Sequence, residues 1–301
     1  MISSLDPSAL RFLSGLDQIQ QRSQRAQQQL TTGLRINTVS DDPDQITNLL
    51  QTRSDLERVK QTDFNLGRVK TEVDTAENAL QSAVKLVERA QTLGSQGQSN
   101  VNSAEVRQDL AGELGGVLQQ LVGISGTAVD GRYVFSGDND QQPPYTIDLT
   151  QPNPISPYNG TPATRQIQNS DGSLISVSKS AQDIFDNADG AKNVFTSINN
   201  LRVALLNNDQ AGIDAALPDL LSSGTFLNTQ LAFYGTVQNQ ITSGLDFGST
   251  LETQLQSQMS QIQDADMAQA ITELTQAKTQ QDAALAARAK TPMTSLFNYL
   301  A

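Results

Sequence analysis

The chain has 301 residues, a net charge of −12, 37 % hydrophobic and 5 % aromatic residues, and neither Cys nor His. Without those two residues it has no disulfide framework, thiolate nucleophile, Cys-ligated zinc, Ser–His–Asp triad or His-dependent metal site. The acidic balance argues against nucleic acid or an anionic membrane surface as a partner, and no stretch approaches the ~18 consecutive apolar residues that span a bilayer.

Met1 to Phe12 carry no basic n-region and no apolar h-region, so a cleaved secretory signal is not expected. The triplet Asp41-Asp42-Pro43 predicts a helix opening at Gln45, with carboxylates at its positive end. From Leu66 the apolar series runs Val69, Val73, Ala76, Leu80, Ala83, Val87 and Ala90. Its alternating spacing of three and four is that of a coiled-coil seam. Gly112, Gly115 and Gly116 fall within a helical pattern, match no phosphate loop, and are expected to permit close helix packing.

The middle of the chain has a different texture. Six of the ten prolines lie between residues 131 and 181. Tyr145, Ile147 and Leu149 alternate with Thr146, Asp148 and Thr150, and Ile175 and Val177 alternate with serines. Asn159-Gly160 and Asp171-Gly172 stand where hairpin turns would fall. Asp138-Asn139-Asp140 lacks the glycine and terminal Glu of a calcium loop and reads as a solvated turn. Asn159-Gly160-Thr161 fits a glycosylation sequon, a pattern short enough to arise by chance.

Helical spacing resumes after Asp183 with Phe195, Ile198, Leu201 and Leu205. A second long seam runs from Ile213 to Leu245, and Pro218 near its start suggests that the helix begins there. A further helix is expected through Leu251, Leu255, Met259 and Ile262, and a last one through Met267, Ile271, Leu274 and Leu285. Each seam is a narrow stripe, so none of these helices is expected to be stable alone. Burying each Leu or Val contributes roughly 1.5–3 kcal/mol, which requires a partner helix.

The expected fold is mainly α: long antiparallel helices pair the N- and C-terminal regions, and a small antiparallel β domain is inserted in the middle. The expected domains are 1–44 plus 262–301, 45–137 plus 182–261, and 138–181. No pair of acids stands out as a catalytic couple, so neither an enzyme nor a cofactor is expected. A carboxylate-dependent enzyme would need clustered acids in a concave site of the β insert.

Both ends also carry longer motifs. Leu30, Gly33, Leu34, Arg35, Ile36 and Asn37, followed by Asp41-Asp42-Pro43, resemble the N-terminal signature of the bacterial flagellin family. Gly235 to Gln240 is similar to that family's C-terminal motif, with Gln240 where Arg is usual. Thr31-Thr32 stands where Ser is frequent. Ile262-Gln263-Asp264-Ala265-Asp266-Met267-Ala268 and the tail Ser295-Leu296-Phe297-Asn298-Tyr299-Leu300 resemble its terminal-helix signature and apolar tail. The resemblance covers roughly 1–137 and 182–301.

The resemblance implies a secreted structural subunit of the extracellular flagellum, exported unfolded, whose termini fold together on assembly into an inner tube. Gly131 to Gly137, Pro43 and the Leu-Phe-Asn-Tyr-Leu tail resemble the members that join hook to filament. The filament subunit is the alternative, and a cytoplasmic coiled-coil scaffold would explain the seams but not the terminal motifs. Implied partners are a neighbouring hook-associated protein, flagellin, copies of the same chain, and an export chaperone at the C-terminal helix. The expected assembly residues are Leu30, Leu34 and Ile36 near one end. Near the other they are Ile262, Met267, Ile271, Leu274 and Leu285, with Leu296, Phe297 and Leu300 in the tail.

Overall fold

The computed structural model describes residues 7–290. Seven α-helices dominate it: α1 (Pro7–Thr32), α2 (Pro43–Gly97), α3 (Ala104–Ser125), α4 (Ala181–Phe185), α5 (Val194–Leu206), α6 (Gln210–Gln263) and α7 (Met267–Lys290). Two antiparallel hairpins lie between α3 and α4: β1 (Ala128–Val129) with β2 (Arg132–Tyr133), and β3 (Gln166–Gln168) with β4 (Leu174–Ser176). The chain divides into two compact units, one made of the residues up to Arg58 and from Glu252 on, the other of Val59–Leu251.

In the central unit the seam read from Leu66 is the buried face of α2. Leu66, Ala76, Leu80, Ala83 and Ala90 are fully buried. Within this unit α6 runs antiparallel to α2: Gln91 Nε2 donates to the Leu220 carbonyl, and Gln238 Nε2 donates to Asp74 at 2.7 Å. Gly224 lies under Val87 and Gln91, and Gly94 under Leu201 and Leu217, where a Cβ would not fit. Helix α3 starts at the Ser103 N-cap, whose hydroxyl accepts from Val106 N–H, and packs on α5, which is capped by Asn193. Of the three helical glycines, only Gly115 faces a close neighbour, the Leu149 side chain.

An aromatic cluster closes the unit. The Phe135 ring meets Phe185 and Tyr234 edge-on, each at 6.2 Å, and Phe185 stacks on Phe195 at 5.5 Å. Buried aromatic pairs of this kind contribute about 0.5–1.5 kcal/mol each beyond their area. Tyr145, Ile175 and Val177 from the middle segment join the same core.

Four expectations change. The stretch through Leu251, Leu255, Met259 and Ile262 is not a separate helix but the last part of α6. Pro218 sits inside α6, which begins at Gln210. Its ring is on the exposed face, where water can take the carbonyl left without a donor. The run from Tyr145 to Thr150 keeps its in–out alternation but forms only an isolated bridge, Ile147 with Ile155. The surrounding prolines remove the donors a ladder needs. Asn159-Gly160 is not a hairpin turn: Asn159 N–H donates to the Pro144 carbonyl, and Gly160 lies against Tyr158 and Ser136. Asp171-Gly172 does turn the β3–β4 hairpin, with Gly172 at φ +89°. The other hairpin turns on Asp130-Gly131, both at positive φ, which suits a two-residue turn.

Candidate assembly surface

The terminal unit is built around two chain breaks that lie against each other. Helix α1 ends where Gly33 turns to φ +74°, its N–H still reaching the Gln29 carbonyl. Helix α6 ends at Gln263, and α7 restarts at Met267. Between the breaks Leu34 and Asp264 form an antiparallel bridge. Arg35 N–H donates to the Gln263 carbonyl at 2.6 Å, and Ala265 N–H donates to the Gly33 carbonyl at 2.8 Å.

The Arg35 side chain closes this clasp. Its Nη2 donates to the Ile262 carbonyl at 2.6 Å, and its Nη1 pairs with Asp42 at 2.7 Å. Asp42 also caps α2, accepting from Gln45 N–H, with Pro43 in the first helical position; the helix thus opens two residues before Gln45. The Arg35 guanidinium holds the Asp42 carboxyl below the usual carboxylate range. Hydrogen bonds from the amides of Thr38 and then Asn37 do the same for Asp41. Asp266 caps α7 by accepting from Ala268 and Gln269 N–H.

Beyond the clasp α1 and α7 lie antiparallel, as the pairing of Arg22 with Glu273 at 3.1 Å and the stacking of Arg288 on Phe12 show. Among the described residues, those of the two helices that are buried are small: Ser23 and Ala26 on α1, Ala270 and Ala277 on α7. Small side chains let two backbones approach, but they bury little apolar area, so the pair gains little from its own interface.

The expected assembly residues fall into two sets. Ile36 is 2 % exposed, and Leu30, Leu34, Ile262 and Leu274 are half-buried within the unit. Met267, Ile271 and Leu285 are exposed, at 45 %, 55 % and 47 %. The structure therefore separates Ile271 from Leu274, which the sequence spacing makes equivalent. Leu10 and Leu13 of α1 are also exposed. Leu296, Phe297 and Leu300 lie outside the described residues. Sequence reasoning missed Arg35, whose two-way pairing depends on the meeting of distant segments. It also missed the Ala-rich contact, although Ala270 and Ala277 are a heptad apart.

Residues 4–140 match the family model of the bacterial flagellin N-terminal helical region, and residues 222–300 that of the C-terminal helical region. A flagellin of Bacillus subtilis (strain 168) is 25 % identical over 89 % of the chain and 88 % of its own length. Two solved structures share the fold. A putative flagellar hook-associated protein from Vibrio parahaemolyticus has a TM-score of 0.66 at 18 % identity over 74 % of this chain and all of its own. Bacillus cereus FlgL has a TM-score of 0.56 at 19 % identity over 71 % of this chain and 99 % of its own.

Proposed function

The chain belongs to the bacterial flagellin family, and we propose that within it the chain is the structural subunit joining hook to filament. What supports the reading is the fold, which is shared with the Vibrio parahaemolyticus hook-associated protein and with Bacillus cereus FlgL over 99–100 % of their lengths. The exposed Met267, Ile271 and Leu285, next to a weakly cohesive α1–α7 pair, support assembly through the termini. An apolar face that cannot be covered within one chain is covered by copies of it, and the ordering entropy is lost at that step.

On this reading the chain is exported to the extracellular flagellum, its role is structural rather than catalytic, and copies of it sit between a neighbouring hook-associated protein and flagellin. An export chaperone covers α7 before assembly. The experiment is deletion of the gene. Cells with hooks but no filaments, releasing flagellin into the medium, agree with the junction role.

A second reading, the filament subunit, is favoured by the match to the Bacillus subtilis flagellin over most of both chains. It requires the opposite outcome: intact hook junctions, and no filament protein made at all.

A further inference from the structure

We infer that Arg25 of one copy receives the Asp282 carboxylate of a neighbouring copy, so that the terminal units associate head to tail. The inference rests on the self-assembly reading and adds to it the polar contact that sets register.

Residues 18–40 contain Arg22, Arg25 and Arg35 and no acid, in a chain whose net charge is −12. The three arginines, together with Asp266, Gln269 and Glu273, border a cleft of about 370 Å³. Every acid around it is already committed. Glu273 pairs with Arg22, Asp42 with Arg35, and Asp264 with the Ser260 hydroxyl. Asp266 holds the first amides of α7, and Asp41 holds those of Asn37 and Thr38. Arg25 is exposed, and Asp41 feels its charge, yet Arg25 makes no hydrogen bond or ion pair among the described residues. A guanidinium in a cleft whose carboxylates are all occupied fits one more carboxylate from outside.

The other flank of the pair offers one. At about 3.6 residues per turn, Met267, Ile271, Asp282 and Leu285 share one side of α7. Gln269 and Glu273, which face the cleft, are on the other side, with the buried stripe through Ala270 and Ala277 between. Asp282 is exposed and makes no hydrogen bond or ion pair among the described residues. An apolar face alone is non-directional, whereas a charged pair fixes register. Because the two flanks differ, joining one to the other gives a heterologous contact, which closes into a ring or continues as a helix.

The absence of cysteine makes a clean test. Arg25→Cys and Asp282→Cys are introduced together, and flagellar appendages sheared from the cells are oxidised. The expected result is a ladder of dimers, trimers and larger species, with none from either single variant. Appendages that contain the chain but give no ladder overturn the inference, as does a ladder from Arg25→Cys with Asp44→Cys, an exposed acid of the same terminal unit that makes no hydrogen bond or ion pair through its carboxylate among the described residues. Absence of even the wild-type chain from the appendages would instead defeat the assembly reading. If the cysteine variant is not incorporated, charge reversal decides. Arg25→Glu should lower incorporation about tenfold, the equivalent of one charged pair, and Asp282→Arg in the same chain should restore it. Normal incorporation of Arg25→Glu, or no rescue by the swap, refutes the contact.

Discussion

Arg35 and Asp42 meet at 2.7 Å across the start of α2, and the same guanidinium holds the carbonyl of Ile262 more than two hundred residues away. Arg35→Ala therefore frees both chain breaks at once. The pair is partly exposed, so the expected loss of global stability is small and the effect is local. Hydrogen exchange should rise at residues 33–42 and 262–266, with the central unit unchanged. The pH dependence has a fixed sign. Asp42 titrates lower in the folded protein than in the unfolded chain. Its contribution is present above the unfolded pKa near ~4 and is lost as pH falls through the lower folded value. Cleavage of the 33–42 loop by an acid protease should thus quicken below about pH 4. Asp42→Asn should already show the faster rate at pH 5.

Tyr234 is fully buried, and its hydroxyl accepts from the Lys179 amide at 3.1 Å. Removing the hydroxyl leaves that amide without a partner against an apolar core. Tyr234→Phe should cost about 1–3 kcal/mol in urea unfolding, while its ring still meets Phe135 edge-on. A stable, unchanged variant would mean that water replaces the lost acceptor.

The tip of the β3–β4 hairpin is seated on two long helices. Ser170 Oγ donates to Asp63 at 2.8 Å, and a Cβ on Gly248 would overlap the same carboxylate. In Gly248→Ala the Asp63 side chain swings away and the hairpin loses its anchor. Alanine gains about 1 kcal/mol in a helix, so global stability should change by less than about 1 kcal/mol. The local signature is faster amide exchange at residues 169–173, by about fivefold or more, the equivalent of one lost hydrogen bond. Gly235→Ala is the control: nothing lies within contact of its Cβ, so it should simply stabilise α6.

These tests also mark where sequence reading was sufficient. The seam from Leu66 to Ala90 was legible because burial on one helix face leaves a period in the sequence. The same holds from Ile213 to Leu245, where the residues under α2 recur at three and four. The Tyr145 run had the right alternation and no ladder, because alternation records burial while a ladder also needs N–H donors. The Asp130-Gly131 hairpin was not read from the sequence, because its flanking strands are too short to show a period. The clasp was not legible beyond its motifs, since the partners of Arg35 come from opposite ends of the chain.

The sharpest case is α7. Ile271 and Leu274 sit one turn apart in the sequence, yet Ile271 is 55 % exposed and Leu274 is half-buried in the unit. The two positions should therefore fail differently. Ile271→Asp removes an exposed apolar group, so the monomer should keep its stability within about 0.5 kcal/mol. It places a charge on the face proposed to meet the neighbouring copy, where desolvation without a partner is costly, so incorporation into appendages should be lost. Leu274→Asp puts the charge inside the chain's own terminal unit, and should loosen that unit as well as block assembly. Proteolysis of the purified monomer separates the two, with faster loss of α7 expected only for Leu274→Asp. Filaments that grow normally from cells carrying Ile271→Asp would show that this face of α7 is not the one copies use.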